Sequence, residues 1–131
     1  PVLEMTTVIS EIKKIKKGDH VGYNCTFTTS NDMTIAILPL GYNEGIDRRL
    51  SNKGVVKIGN YFAPIIGRVS MNITIIDVSD IPDVKRGDKV IVISKKAEDK
   101  NSVENIAKDC GTIPYEIVVH IPAHLRREMV K

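Results

Sequence analysis

"GVVKIGNYFAPII" at residues 54–66 decides the fold class. Two short runs of β-branched and aromatic residues flank Gly59-Asn60, the two-residue pattern of a tight β-hairpin. Working outward, alternation and β-branched content predict strands near 4–15, 21–29, 33–39, 54–58, 61–66, 72–78 and 88–94. Turn residues separate them at "KKGD" (16–19), "TSND" (29–32), "IGNY" (58–61) and "KRGD" (85–88). In "IPDVKRGDKVIVI" (81–93) a loop and a tight Gly-Asp turn lead into a closing strand. One helix is predicted over "NSVENIAKDCG" (101–111), with Asn101 or Ser102 as N-cap, Glu104 completing a capping box with Asn101, and Gly111 as the stop. Pro114 in "IPYEIVVHI" (113–121) suits a first helical turn and predicts a second short helix. The sum is a mainly β domain: a small barrel of about eight strands with one or two short helices near the C-terminus.

At 131 residues the chain is one domain by size, and its 42% hydrophobic and 27% charged residues are those of a globular protein rather than a disordered one. The net charge of +3 is mild, aromatic content is 5% and tryptophan is absent, so a stacking platform for nucleic acid is poorly supplied. Lysine runs such as "KKIKK" (13–17) read as solvated strand edges, where they discourage edge pairing. Cys25 and Cys110 lie far apart with no zinc-like spacing, which suggests free thiols in a reducing compartment. No apolar run reaches the length of a membrane span and no signal segment is present, making the cytoplasm the default. The chain starts at Pro1 without an initiator methionine and enters a strand-like stretch at once, as expected of a piece of a longer chain.

The chemistry-bearing residues are individually bland. No P-loop, GxGxxG or HExxH occurs, and His120 and His124 in "HIPAH" are four apart with Pro122 between them, so no metal site is expected. Tyr23 and Tyr42 each follow a glycine and precede an asparagine, but the sequences beyond diverge at once, so the two Gly-Tyr-Asn stretches are not a repeat. Each ring suits an amphipathic position at a barrel mouth. Arg48 and Arg49 in "GIDRRL" are either salt-bridged or aimed at an anion. Arg68 stands in the apolar run "PIIGRVSMN" (64–72), where a guanidinium needs a carboxylate such as Asp77, or a phosphate.

In order, "VGYNCTF", "IAILPLGYNEGIDRRLSNKG", "APIIGRVSMNITIIDVSDIP" and "GTIPYE" resemble the C-terminal domain of alanine racemase, a pyridoxal-phosphate-dependent family, from Pro1 to about Arg127. The resemblance implies an eight-stranded barrel-like domain that follows an N-terminal (β/α)8 cofactor domain. It implies a head-to-tail homodimer, in which each active site joins the N-terminal domain of one subunit to the C-terminal domain of the other. Residue by residue, Tyr23 matches a catalytic acid/base tyrosine, Met71 the position whose amide meets the substrate carboxylate, and Tyr115 a tyrosine that hydrogen-bonds the cofactor phosphate and narrows the entrance. Tyr42, Arg48 and Arg68 match residues of the substrate entrance. Ser70 stands where the family usually has cysteine, Asn72 where it has aspartate, and Asn24 where glycine is frequent.

Racemisation removes a proton from one face of Cα and returns one to the other, so two bases are needed on opposite sides. A tyrosine with a pKa of about 10 needs neighbouring positive charge to serve as a base at neutral pH. The resemblance implies that this charge, the Schiff-base lysine and most phosphate ligands come from the N-terminal domain. The isolated chain is therefore expected to be inactive and to bind no cofactor. The alternatives left open are a stand-alone β-barrel used as an interaction or dimerisation module, and the C-terminal domain of a related racemase acting on serine or a broader set of amino acids.

Overall fold

The strand predicted at 4–15 is two strands with a corner between them. In the computed structural model, which describes residues 3–21 and 27–129, β1 (Met5–Val8) pairs with one sheet and β2 (Glu11–Ile15) with another. At the corner Ile9 exchanges backbone bonds with the "KRGD" turn, donating to Asp88 and accepting from Gly87 (3.0 and 2.8 Å). One residue on, the Ser10 amide and hydroxyl both donate to the Ile37 carbonyl at 2.9 Å.

The remaining strands are β3 (His20–Val21), β4 (Phe27–Thr28), β5 (Met33–Leu38), β6 (Val55–Ile58), β7 (Tyr61–Pro64), β8 (Thr74–Asp77) and β9 (Lys89–Ile93). All pairings between them are antiparallel, in a four-stranded sheet ordered β1-β9-β6-β7, a three-stranded sheet β2-β5-β8 and the small β3-β4 pair. The deciding hairpin forms as read: β6 and β7 face each other from Val55–Pro64 to Ile58–Tyr61, with Gly59 in the left-handed region at φ 58°.

A barrel was expected, and among the described residues the ladders do not close into one. The larger sheets instead meet at two corners, as orthogonally packed sheets do where the chain changes sheet. The second corner lies at Ile65 and Ile66, whose successive amides donate to Gly54 and to Ile75 (2.8 and 2.9 Å). There β7 and β8 touch through the single Ile65–Ile76 bridge. Each corner spends adjacent backbone groups on different sheets, which interrupts a continuous ladder.

Alternation along β6 and β8 sends Val56, Ile58, Thr74 and Ile76 inward. They meet Ile9, Ala36, Leu38, Ala63 and Val90 in one core between the sheets. Two helices close one side, α1 (Val103–Cys110) and α2 (Pro114–Val119). Ile106, Ala107 and Ile117 join the core from them. Ser102, not Asn101, caps α1, accepting from the Asn105 amide at 3.2 Å, while Glu104 is exposed. Asn101 is buried and donates its side-chain amide to the Ile91 and Val92 carbonyls (2.9 and 3.2 Å), fastening the start of α1 to β9. Gly111 ends α1 at φ 70°, and Pro114 opens α2, both as read. No described helix is long and apolar enough to cross a membrane.

Candidate active-site wall

The second Gly-Tyr-Asn leaves β5 and runs straight against "RVSM". Tyr42 and Asn43 donate their amides to the Ser70 and Met71 carbonyls at 3.0 and 2.9 Å. Gly41 is required by this approach: a Cβ there would stand 2.0 Å from the Ser70 carbonyl oxygen. The segment is also held from within, because the Glu44 carboxylate accepts the Gly41 amide at 3.0 Å. Below it, the buried Thr74 hydroxyl donates to the Leu40 carbonyl at 2.8 Å. The other flank of "RVSM" is strapped down too. Asn52 accepts the Gly67 amide (2.6 Å) and the Ser51 hydroxyl accepts the Val69 amide (2.8 Å).

Short 3-10 turns at Tyr42–Glu44 and Arg48–Leu50 carry the polar side chains. The Arg48 guanidinium lies over the Tyr42 ring, 5.3 Å from its centroid, a cation–π contact at a half-open surface. Asp47 caps the second turn by accepting the Arg49 amide at 2.8 Å. It also takes a fork from the Arg49 guanidinium, Nε at 3.0 Å and Nη2 at 2.8 Å. The same Nη2 reaches Glu116 of α2 at 2.7 Å, and Thr112 donates its hydroxyl to the other Glu116 oxygen at 2.5 Å.

These bonds hold both carboxylates below their usual range. For Asp47 the Arg49 bond is the main cause; for Glu116 the Thr112 hydroxyl acts first and Arg49 second. The same bonds raise the Arg49 pKa above its ordinary value.

Tyr42, Asp47, Arg48, Arg49, Ile117 and His120 line an open cleft of about 440 Å³. Of the residues expected at the site, Tyr42 and Arg48 share this cleft, and Met71 is joined to the same segment through Asn43. Met71 is half exposed, and its amide has no acceptor among the described residues. Tyr115 projects from α2 with 72% of its surface open, one residue before Glu116. Arg68 is exposed rather than enclosed, because Gly67 at φ 74° turns the chain as it leaves the second corner. Its expected partner Asp77 accepts instead from the Ser79 amide and hydroxyl (2.9 and 2.6 Å). Tyr23, with Asn24 and Cys25, lies outside the described residues.

Asp47, Glu116 and His120 present ligand-type atoms within 4.8 Å of one another. Arg49 already bridges the two carboxylates, so a metal ion there would have to displace a fixed cation. His120 caps the end of α2 and His124 lies beyond Pro122, so the two imidazoles do not share a helix.

The family model described as "Alanine racemase, C-terminal domain" matches residues 2–129. The chain belongs to that family. An alanine racemase of Halothermothrix orenii is 42% identical over 98% of this chain. Among solved structures, the alanine racemase of Acinetobacter baumannii superposes with a TM-score of 0.85 at 34% identity, over 95% of this chain and 33% of that one. That of Bartonella henselae, described with covalently bound pyridoxal phosphate, gives 0.81 at 32% identity, over 90% of this chain and 32% of that one. The chain spans about a third of the length of such relatives, 34% for the Halothermothrix enzyme.

The alanine racemase C-terminal domain reading leaves two features of this wall unread in the sequence. The Arg49 network joins residues far apart in the chain, and only the Asp-x-Arg capping pattern at 47–49 hints at half of it. Gly41 was noted only as the glycine before Tyr42, and its role is set by a carbonyl 29 positions away, that of Ser70.

Proposed function

We propose that this chain is the C-terminal portion of an alanine racemase that interconverts L- and D-alanine for cell-wall precursor synthesis in the cytoplasm. It furnishes one wall of an active site completed by the N-terminal (β/α)8 domain of the other subunit of a homodimer. The observation that carries the reading is the docking of Gly41–Asn43 onto Ser70–Met71. That docking joins Met71 to the segment that carries Tyr42 and Arg48, and the Met71 amide has no acceptor among the described residues. In this reading the Met71 amide receives the substrate carboxylate, and Tyr42, Arg48 and Arg68 line the entrance. Tyr23 exchanges the proton at Cα. Its phenol needs cationic neighbours to do so near neutral pH, and these come from the partner domain.

Pyridoxal phosphate supplies the electron sink that makes the Cα proton removable. The described residues suit only its edge. Tyr115 offers an exposed hydroxyl with which to hold the phosphate, whereas the cleft has no lysine in its lining. Lys57, the lysine held in a largely covered ion pair, is bonded to Asp99 at 3.0 Å and does not face that cleft. In this reading the Schiff-base lysine belongs to the N-terminal domain.

The test is steady-state racemisation by the full-length protein and its Tyr23→Phe variant. Loss of about 10²–10⁴-fold in kcat is expected for a missing acid/base group. An unchanged rate removes Tyr23 from the mechanism. Comparison of alanine with serine in the same assay decides between alanine racemase and a broader amino-acid racemase.

A further inference from the structure

We infer that Arg49 is a positioning residue that fixes the width of the substrate entrance by clamping the Tyr42–Leu50 segment to α2. The inference rests on the reading of Tyr42, Arg48 and Tyr115 as entrance residues. Arg49 binds Asp47 in its own turn and Glu116, 67 positions away in sequence, so one guanidinium ties two separate segments together. Both segments carry an entrance residue next to the clamp. Arg48 precedes Arg49, and Tyr115 precedes Glu116.

The clamp is directional because of what it conceals. Asp47 and Glu116 hold oxygens within 4.8 Å of each other, both in the charged form. Without the guanidinium between them, two like charges at that separation repel and drive the segments apart. Thr112 keeps hold of Glu116 on the α2 side, so the displacement falls on the turn that carries Arg48 and Tyr42. The guanidinium and the Glu116 carboxylate are each about 40% exposed, so the pair adds little to global stability. Its effect is on geometry. A planar fork is also needed, since only arginine satisfies Asp47 through two nitrogens while reaching a second carboxylate.

The experiment uses the full-length protein and measures kcat and KM for alanine and for a bulkier amino acid. The variants are Arg49→Gln, Arg49→Lys, Glu116→Gln and the double Arg49→Gln/Glu116→Gln. Arg49→Gln should raise the alanine KM about five- to tenfold with kcat within about twofold, and relax the preference for alanine about threefold or more. Its melting temperature should stay close to that of the wild type. Arg49→Lys should recover part of the KM, and the double variant should be no worse than Arg49→Gln because the repulsion is gone. If Arg49→Gln does not fold, Arg49→Lys and Glu116→Gln must still raise KM and relax the preference. Unchanged KM and preference in an active background overturn the clamp, as do effects of the two sites that simply add. A wild type that racemises no amino acid overturns the racemase reading, and the clamp's role at an entrance with it.

Discussion

Gly41 and Ser70 are in such close contact that a single added carbon on Gly41 would sit 2.0 Å from the Ser70 carbonyl oxygen. The contact is backbone to backbone, so no side chain can rotate away to relieve it. Gly41→Ala must therefore separate the two segments and break the Tyr42 and Asn43 bonds to Ser70 and Met71. A loss of about 1–3 kcal/mol is expected in denaturant unfolding, as for other overpacked sites. If the Met71 amide receives the substrate as proposed, KM should rise as well in the full-length protein, because that amide moves with the displaced segment. A fully stable, fully active Gly41→Ala protein would mean that the approach is dispensable.

The interior at the second corner is equally intolerant of loss. Ile76 has none of its surface exposed, pairs with Ala36 across β5 and β8, and forms the bridge to Ile65. Ile76→Ala leaves a hole where the two sheets meet, with no exposed chain nearby to collapse into it. The expected cost is about 2–5 kcal/mol in urea or thermal unfolding. A change below about 1 kcal/mol would contradict the packing described at that corner.

Acid should loosen the wall before it unfolds the core. Asp47 and Glu116 have folded pKa values depressed below their unfolded ones by the hydrogen bonds of Arg49 and Thr112. Their contribution is thus complete above the ordinary carboxylate range, near pH 4–4.5, and is lost as pH falls through the lower folded values. Melting temperature should be flat from neutral pH to about pH 5 and decline below about pH 4. Because the pair is so exposed, Glu116→Gln should remove only a small part of that decline at low salt, and added salt should shrink the difference further. A slope that Glu116→Gln leaves untouched would show that these carboxylates do not contribute.

The 131-residue chain by itself should neither racemise alanine nor retain pyridoxal phosphate. The measurement is visible absorbance after mixing with the cofactor and dialysis. Stable, stoichiometric absorbance from a lysine adduct would place the cofactor lysine within this chain and undo the division of labour proposed above.

The sequence disclosed features whose cause is local and hid those whose cause is distant. The Gly59-Asn60 hairpin, the "KRGD" turn, the Gly111 stop and the Pro114 start were all legible, because each is fixed by the backbone preferences of two or three residues. The corner at Ile9-Ser10 was not, since β-favouring residues continue across it and only the partners change sides. At the site, the nearness of Tyr42 and Arg48 follows from six residues of turn. The choice left open for Arg48 and Arg49 was resolved only by the fold, which turned one onto a ring and the other onto two carboxylates. Arg68 misled because an apolar neighbourhood in sequence suggests burial, whereas a left-handed glycine just before it redirects the chain outward.

The pairing of β1 with β9, which sets Met5 opposite Ile93, has a consequence for the birth of this domain on the ribosome. Of the described strands β1 is made first, and it must wait for β9, the last, before that edge is filled. Until then it remains an open template, and the long loop to be closed makes its capture slow. The lysines within 13–17 lie on the continuation of this waiting strand. They are features that keep a nascent edge from adopting the wrong neighbour.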